Sequence, residues 1–210
     1  MTPPPRRTAT EVERPEGLAY VPDLLTGDEE LALVAIFEDM EFFEVRMRGQ
    51  AARRTTRHFG YRYDYEGWTV VPTEPLPSSL EWLRRRSAAL AELPPDAFAE
   101  TLVTRYPPGA GIGWHRDAPM FGPTVVGVSL LSPCRLRLRP SARQPGHVHE
   151  VELAPRSAYV LGGKARSSWQ HSIPPVKERR YSFTFRTLRG ATAARSTAGG
   201  AVPDSSGQER

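Results

Sequence analysis

The segment Arg180-Tyr-Ser-Phe-Thr-Phe-Arg186 alternates polar and apolar side chains, which is the pattern of a β-strand. Successive side chains of a strand point to opposite faces, so the three aromatic residues should share one face and the polar residues the other. The polar face would consist of Arg180, Ser182, Thr184 and Arg186. An amphipathic strand at the edge of a sheet would show the same alternation. The pattern therefore predicts a strand and leaves its place in the sheet open.

Short β-type runs separated by turn residues precede this segment from Glu100 onward. Turns such as Pro107-Pro108-Gly109 and Gly162-Gly163 punctuate them. The runs, including the segment itself, span residues 101–106, 124–131, 134–139, 147–153, 157–161 and 180–188. Many short strands of antiparallel type predict a closed or double-sheet β fold, for which a jelly roll (double-stranded β-helix) is the natural candidate.

Two helices are predicted upstream of the strands. Thr26 and Glu29 form a capping-box pair before the first helix. The apolar stripe of that helix is predicted at Leu31, Val34, Ala35 and Phe37. Ser78 and Glu81 repeat the capping box before a second helix, which should end near Leu93 ahead of two prolines. The predicted fold class is therefore mainly β (α+β), a jelly roll with flanking N-terminal helices.

The composition is that of one globular domain. The 210 residues are 39% hydrophobic and 25% charged, close to the averages of folded proteins. Segments 1–16 and 190–210 are poor in large apolar side chains, so we expect disordered tails around a single domain at 17–189.

The charge and the cysteine content narrow the classes of partner and site. A net charge of +4 permits a polyanionic partner without requiring one. Cys134 is the only cysteine, which excludes an internal disulfide framework and any multi-thiolate metal site. The best apolar run, at 31–37, is too short to span a bilayer. We expect a cytoplasmic monomer with no membrane partner.

A set of potential metal ligands surrounds the sequence His115-Arg116-Asp117. In an extended backbone, residues two apart project to the same side, so His115 and Asp117 can hold one ion together. His171, on a later β-type segment, would complete two imidazoles and one carboxylate, a set that binds one face of a non-haem Fe(II) and leaves three positions open. Taken alone, this spacing is weak, because a protein with five histidines can show it by chance and single histidines are usually structural.

The two arginines of the 180–186 segment strengthen the metal hypothesis. Residues six apart on a strand share a face, so Arg180 and Arg186 should lie on the same side of the sheet. Each planar guanidinium can clamp a carboxylate with two hydrogen bonds, and the pair therefore suits a dicarboxylate.

These elements together resemble the AlkB family of 2-oxoglutarate-dependent dioxygenases, whose motif is His-x-Asp, a distal His and then Arg-x5-Arg. The similarity continues through residues 59–63, 102–109 and 162–169 and covers about residues 17–188. It implies a jelly-roll domain with its metal and cosubstrate core at about 98–189. It also implies Fe(II) as the metal, with 2-oxoglutarate and O2 as cosubstrates.

The resemblance also assigns roles to single residues. His115, Asp117 and His171 would hold the iron. Arg180 would bind the distal carboxylate of 2-oxoglutarate, and Tyr106 would help to hold this cosubstrate. Arg186 would lie near the carboxylate next to the metal or near the target base. Two further hydrogen-bonding residues, at positions where many members carry Asn, would support the cosubstrate: Thr104 and Ser182.

Substrate contacts are predicted at a second segment and beside the metal. Tyr61 and Tyr63, with Arg57 and His58, match the family's nucleotide-recognition lid, where aromatic faces next to cationic groups suit an extruded base. An ordinary aromatic-rich strand would show the same alternation. We expect the Trp114 ring to form an apolar wall near the metal, although tryptophan is more usually a core residue.

The resemblance favours oxidative demethylation of alkylated bases in DNA or RNA, with two alternatives. The same oxygenase chemistry could act on a protein or a small molecule, because Pro119 stands where repair members carry an acidic residue that contacts the methylated base. A catalytically silent nucleic-acid-binding module is the other alternative. Three arginines that share a strand face could contact phosphate or simply be solvated: Arg135, Arg137 and Arg139.

Overall fold

The computed structural model describes residues 14–47, 50–64, 69–140 and 148–189. The tails predicted at 1–16 and 190–210 lie outside these residues, except for residues 14–16. The strands are β1 (Leu18–Val21), β2 (Phe43–Met47), β3 (Gln50–Phe59), β4 (Tyr61–Asp64), β5 (Thr69–Pro72), β6 (Glu100–Tyr106), β7 (Ile112–His115), β8 (Phe121–Leu130), β9 (Cys134–Pro140), β10 (His149–Leu153), β11 (Ala158–Leu161), β12 (Trp169–Ile173) and β13 (Arg180–Leu188). The helices are α1 (Gly27–Glu38), α2 (Glu81–Leu90) and α3 (Gly163–Ser167).

Two larger antiparallel sheets and one hairpin make up the described part of the fold. The major, seven-stranded sheet has the order β1-β11-β8-β13-β6-β3-β2, and the minor, four-stranded sheet has the order β10-β9-β12-β7. One apolar cluster fills the space between them, with Val125 from the major sheet and Leu136 and Leu138 from the minor sheet. The predicted jelly roll with flanking helices is confirmed. Among the described residues, no helix is long and apolar enough to cross a membrane.

Strand β13 lies at the centre of the major sheet rather than at its edge. It pairs with β6 on one side and with β8 on the other. Its aromatic face packs under the helices, with the ring centroids of Phe37 and Phe183 5.0 Å apart. Burial of each such side chain contributes roughly 1.5 to 3 kcal/mol. Its polar face is buried as well, from Arg180 to Arg186, and points into the space between the sheets.

The start of α1 follows the sequence prediction, but its buried face does not. The Thr26 side chain accepts a hydrogen bond from the Glu29 amide at 3.2 Å, and the Glu29 carboxylate accepts one from the Thr26 amide at 2.9 Å. The predicted apolar stripe is wrong except for Phe37, because Leu31 is 69% exposed and neither Val34 nor Ala35 is buried. The buried residues are Glu30, Leu33 and Phe37. Glu30 belongs to this face because it accepts a hydrogen bond from the Leu131 amide.

The capping box predicted at Ser78 is absent. Residues Ser78–Leu80 form a single 3-10 turn, and the first residue of α2 is Glu81. The Glu81 carboxylate pairs with Arg84, at 2.8 Å, one turn further along the helix. This intrahelical pair takes the acceptor that a capping box would need. The helix ends at Leu90, three residues before the predicted end.

A glycine joins the major sheet to the small β4–β5 hairpin. Gly60 has a φ of +77°, and a Cβ at this position would collide with the Ala99 carbonyl. Its amide donates to the Glu74 carbonyl at 2.7 Å, and its own carbonyl accepts from the Thr73 amide at 2.9 Å. The hairpin is thereby fixed beside the major sheet, where the Tyr63 ring lies 6.5 Å from that of Phe121.

Candidate metal centre and cosubstrate pocket

A cavity of about 500 Å³ opens between the major and minor sheets. Residues of both sheets line it, and the neighbouring strands β6 and β13 contribute a large share of its polar lining. The polar faces of those two strands are buried. The fold therefore places hydrogen-bonding and charged groups in a pocket with little access to water, where their interactions are strong.

Three potential metal ligands converge at the minor-sheet side of this cavity. His115 ends β7 and lies directly opposite His171 of β12 in the antiparallel register. Asp117 follows two residues after His115. One ligand atom from each of the three side chains lies within 4.8 Å of the others. The sheet register thus brings together two histidines that are far apart in sequence.

The hydrogen bonds of these residues leave the right atoms free for a metal. Asp117 Oδ1 accepts from Arg186 Nε at 2.9 Å, whereas Asp117 Oδ2 is buried without a hydrogen-bond partner and lies 3.8 Å from His171 Nε2. His115 Nδ1 lies 2.9 Å from the Gly113 carbonyl oxygen. Because a carbonyl only accepts, Nδ1 carries the proton and Nε2 keeps its lone pair.

The electrostatics favour the protonation states that bind a divalent cation. Burial lowers the pKa of His171 to about 4, although Asp117 partly opposes the shift. Burial also lowers the pKa of His115. For Asp117, burial by itself would raise the pKa, but Arg186 and the two histidines outweigh it and lower the pKa. Neutral imidazoles and an ionised carboxylate are therefore present at neutral pH, as metal binding requires.

Arg180 lies deeper in the same cavity and has unused hydrogen-bonding capacity. Its side chain is 1% exposed, and its Nε and Nη2 donate to the Ser129 hydroxyl at 3.2 and 3.0 Å. Its Nη1 is buried with no hydrogen-bond partner. No described carboxylate lies within 4.0 Å of this guanidinium. A buried cation with an unpaired donor is costly unless a ligand carboxylate completes it.

Arg186, at the other end of the polar face of β13, is fully paired. Its guanidinium contacts Asp117 on one side and donates from Nη1 to Glu100 Oε2 at 2.8 Å on the other. Glu100 is 1% exposed, and its second oxygen lies 3.0 Å from His58 Nδ1. A continuous chain of hydrogen bonds therefore runs from the metal site to β3.

The donor set, the unpaired arginine and the jelly roll agree with a family comparison. The family model described as the 2OG-Fe(II) oxygenase superfamily matches residues 23–189. The chain belongs to the 2OG-Fe(II) oxygenase superfamily. Its relatives place it with the AlkB-type members, whose cofactors are Fe(II), 2-oxoglutarate and O2.

Several relatives support this placement. The alpha-ketoglutarate-dependent dioxygenase AlkB of Escherichia coli is 32% identical, over 63% of this chain and 65% of its own length. The alkylated DNA repair protein ALKBH8 homolog of Arabidopsis thaliana is 28% identical, over 82% and 58%. The mouse tRNA (carboxymethyluridine(34)-5-O)-methyltransferase ALKBH8 is also 28% identical, but the match covers 78% of this chain and 25% of that protein. The chain thus spans only part of the length of these relatives.

A solved structure confirms the fold independently of sequence. The structure described as OsALKBH1 superposes with a TM-score of 0.68 at 15% identity, covering 84% of this chain and 99% of that one. At this identity the likeness concerns the fold alone. It supports the double-stranded β-helix architecture.

The cosubstrate residues predicted from sequence all line the cavity of this oxygenase. Tyr106 lies under Arg180, with the guanidinium carbon 5.0 Å from the centroid of the ring. Thr104 and Ser182 face each other across β6 and β13. The roles of these residues toward 2-oxoglutarate stay predictions.

The residues that the sequence analysis missed include Glu100 and Tyr159, which line the cavity, and Ser129, which accepts hydrogen bonds from Arg180. Burial raises the pKa of Tyr159, so its hydroxyl stays protonated and can donate. Gly127 makes room for this ring, because a Cβ there would overlap it. Glu100 is the one for which the sequence holds a signal, because a glutamate at the start of a predicted buried strand requires a partner. That this partner is Arg186 follows only from the sheet register.

The predicted substrate residues divide into two groups. Tyr63 lines the cavity, whereas Tyr61 is not among the described residues that line it. Arg57 lies in an adjoining cleft, where it pairs with Glu74 and stacks over the Phe43 ring. The structure therefore does not bring Arg57 or Tyr61 to the metal cavity.

Trp114 borders the cavity, but its ring is not an apolar wall. Guanidinium carbons of Arg137 and Arg139 lie 5.0 and 4.3 Å from its centroid. The prediction of an apolar wall is wrong, because the ring packs with the two arginines on the outer face of the minor sheet, opposite to the His115 side chain.

Proposed function

We propose that this chain is an Fe(II)- and 2-oxoglutarate-dependent dioxygenase that oxidatively demethylates alkylated bases in DNA or RNA. The observation that carries this proposal is the coexistence of two incomplete sites in one cavity. Asp117 Oδ2 has no hydrogen-bond partner beside two neutral histidines, and Arg180 Nη1 has none deeper in the pocket. An open metal site and a dicarboxylate that chelates the metal and reaches Arg180 satisfy both needs at once.

The metal would be held by the Nε2 atom of His115, by His171 and by Oδ2 of Asp117. Arg180 would bind the distal carboxylate of 2-oxoglutarate, with Ser182, Thr104 and Tyr106 around it. When bound, these groups supply O2 activation, in which 2-oxoglutarate becomes succinate and CO2 and a substrate C–H bond is hydroxylated. A hydroxylated N-methyl group then leaves as formaldehyde and releases the free amine.

The protein's own part in this chemistry is to position groups and exclude water. Arg186 holds Asp117 by Oδ1, so that only Oδ2 is directed at the metal. The Gly113 carbonyl fixes the tautomer and the orientation of the His115 ring. Burial of Arg180 and Asp117 keeps the cosubstrate end of the cavity dry, which strengthens each charge-assisted hydrogen bond.

An alkylated nucleic acid is the substrate class that we propose. Relatives in E. coli and Arabidopsis carry names that refer to AlkB or to alkylated DNA repair, and Tyr63 places an aromatic ring at the cavity. The chain also carries a net charge of +4. We further propose a cytoplasmic monomer formed by one domain at 17–189, with its core at about 98–189. Pro119 at the cavity favours a protein or a small molecule as the second candidate.

One assay tests the proposal. Methylated DNA and RNA oligonucleotides, a methylated peptide pool and small amines would be incubated with enzyme, Fe(II), 2-oxoglutarate and O2, with products read by mass spectrometry. We expect a loss of methyl groups on nucleic acid with equal formation of succinate. Alanine at His115, Asp117 or His171 should abolish succinate formation and lower the iron content. Full turnover in any of these variants would refute the assignment of the ligands, and turnover of the peptide alone would favour the second candidate.

A further inference from the structure

The outer face of the minor sheet carries an ordered cluster of cations beside the cavity. Arginines alternate with leucines along β9, and Leu136 and Leu138 are fully buried between the sheets. Arg135, Arg137 and Arg139 therefore point away from the core. The sequence left open whether this face is merely solvated.

Two of these arginines extend across β12 toward the edge of the sheet. Arg137 Nε donates to the Ser172 hydroxyl at 3.2 Å, and Arg139 Nε donates to Gln170 Oε1 at 3.0 Å. Both guanidinium groups then lie over the ring of Trp114, on the edge strand β7. One neutral hydrogen bond and one aromatic face hold each planar group in place.

These two arginines differ in their pairing from Arg135, the third arginine of the same strand face. Arg135, on the same strand and face, pairs with Glu150 at 3.3 Å. No described carboxylate oxygen lies within 4.0 Å of Arg137 or Arg139, although Glu150 stands opposite Arg137 in the strand register. Toward the described residues, each of the two donates hydrogen bonds only from Nε. The terminal nitrogens thus stay available for a bidentate anion.

The cluster is continuous with the cavity, because Trp114 borders the cavity and immediately precedes His115. A nucleic-acid strand that inserts one base into the cavity must carry its neighbouring phosphates past the edge of the sheet. We propose that Arg137 and Arg139, held on the Trp114 ring, bind backbone phosphates that flank the target nucleotide. This inference rests on the proposed function and adds a phosphate-binding surface to it.

The chemistry of the cluster favours phosphate over other ligands. Arginine binds phosphate oxygens in a bidentate manner, and groups that are already ordered lose little side-chain entropy on binding. The Trp114 ring is covered by the two guanidinium groups, so it orders them rather than stacking a base. Contacts of this kind position a strand without reading its sequence.

The test compares removal of the two arginines without a described carboxylate partner with removal of a paired arginine on the same strand face. The double variant Arg137→Gln/Arg139→Gln loses the proposed phosphate contacts. The control variant Arg135→Gln loses an arginine on the same face of the strand that already has a carboxylate partner. The affinity for a methylated single-stranded oligonucleotide would be measured between about 50 and 200 mM salt. Each lost phosphate contact should reduce the slope of log affinity against log salt by about 0.7. We expect a reduction of about 1.4 in the double variant and little change in Arg135→Gln.

A charge-conserving variant separates phosphate binding from a purely structural role. Arg137→Lys/Arg139→Lys keeps both charges and should retain most of the salt slope. If the two arginines served only to cover the Trp114 ring, the Gln and Lys double variants should both change the affinity to the same extent. The ratio of oligonucleotide to methylated-nucleoside kcat/KM should fall only in the Gln variant, since a nucleoside has no phosphate. Thermal unfolding checks that each variant is folded.

The outcomes distinguish this inference from the proposed function. An unchanged salt slope in the Gln variant, or an equal reduction in Arg135→Gln, would overturn the phosphate assignment while wild-type turnover of nucleic acid stays intact. If the wild-type enzyme neither binds nor demethylates any oligonucleotide, the proposed function fails and this inference fails with it.

Discussion

The two arginines at the ends of the polar face of β13 have opposite surroundings. Arg180 has a neutral hydroxyl as its hydrogen-bond partner and keeps one buried nitrogen unpaired. Arg186 lies between the carboxylates of Asp117 and Glu100. Both side chains are buried, and both come from one alternating segment. Their difference therefore comes from the neighbours that the fold supplies.

This difference separates a binding group from a positioning group. A buried guanidinium without an anion is stabilised when a ligand carboxylate arrives, so we propose Arg180 as the group that binds the cosubstrate. A guanidinium that is already compensated gains little from a ligand. Arg186 instead fixes the orientation of Asp117 and connects it to Glu100. The same residue type thus has two roles in one cavity.

Removal of the Glu100 carboxylate should have the largest effect on stability. Glu100→Ala leaves Arg186 buried with only one of its two anions, and loss of one partner of a buried pair costs about 3 to 5 kcal/mol. Urea unfolding monitored by tryptophan fluorescence would measure the change. Glu150→Ala, which breaks the exposed pair with Arg135, should cost less than about 1 kcal/mol. Equal losses of stability in the two variants would contradict the prediction that the buried Glu100–Arg186 pair stabilises the fold more than the exposed pair does.

Removal of the Arg180 guanidinium should affect the cosubstrate rather than the fold. Arg180→Ala should raise the KM for 2-oxoglutarate about a hundredfold, because a buried carboxylate loses its bidentate partner. Arg180→Lys should restore this only in part, since a single ammonium cannot reproduce the planar fork. Arg179→Ala, at the neighbouring residue paired with Glu38, is the control and should leave the KM unchanged. An unchanged KM in Arg180→Ala would place the cosubstrate elsewhere.

The two tyrosines of the hairpin offer a smaller contrast at the substrate side. Tyr63→Ala should lower kcat/KM for a methylated oligonucleotide about tenfold, because base–aromatic stacking is worth about 1 to 3 kcal/mol. Tyr61→Ala should lower it less, since that residue is not among the described cavity-lining residues. Substrate-free consumption of 2-oxoglutarate, followed by succinate formation, shows whether the core is intact. A larger loss for Tyr61→Ala would contradict the contrast.

The two predicted capping boxes provide the smallest effect. Thr26→Ala removes an observed side-chain cap and should lower the free energy of unfolding by about 1 kcal/mol. Ser78→Ala removes a hydroxyl that caps no helix and should change it by less than about 0.5 kcal/mol. Thermal unfolding of the two variants under the same conditions would measure both. Similar losses would show that the Ser78 hydroxyl has another stabilising role.

The motif residues were predictable because each depends on local spacing. His115 and Asp117 are two apart on an extended segment, and the alternation at 180–186 places both arginines on one face. The helix stripe at Leu31 failed because burial depends on what packs against the helix, not on its apolar residues alone. The prediction that the Trp114 ring forms an apolar wall failed for a similar reason. That ring packs with arginines of a strand that is not its neighbour in the sheet.

The sequence by itself determined the strand-rich fold, the start of α1, the His115–Asp117 pair and the pair of arginines, because these follow from side-chain periodicity and short-range chemistry. The assignment of His171 as the third ligand came from the family resemblance. Only the tertiary structure decided that β13 is central, that His115 and His171 face each other and that Glu100 compensates Arg186. These features depend on pairings between distant segments. Sheet register, which local sequence does not encode, fixes which side chains share the cavity.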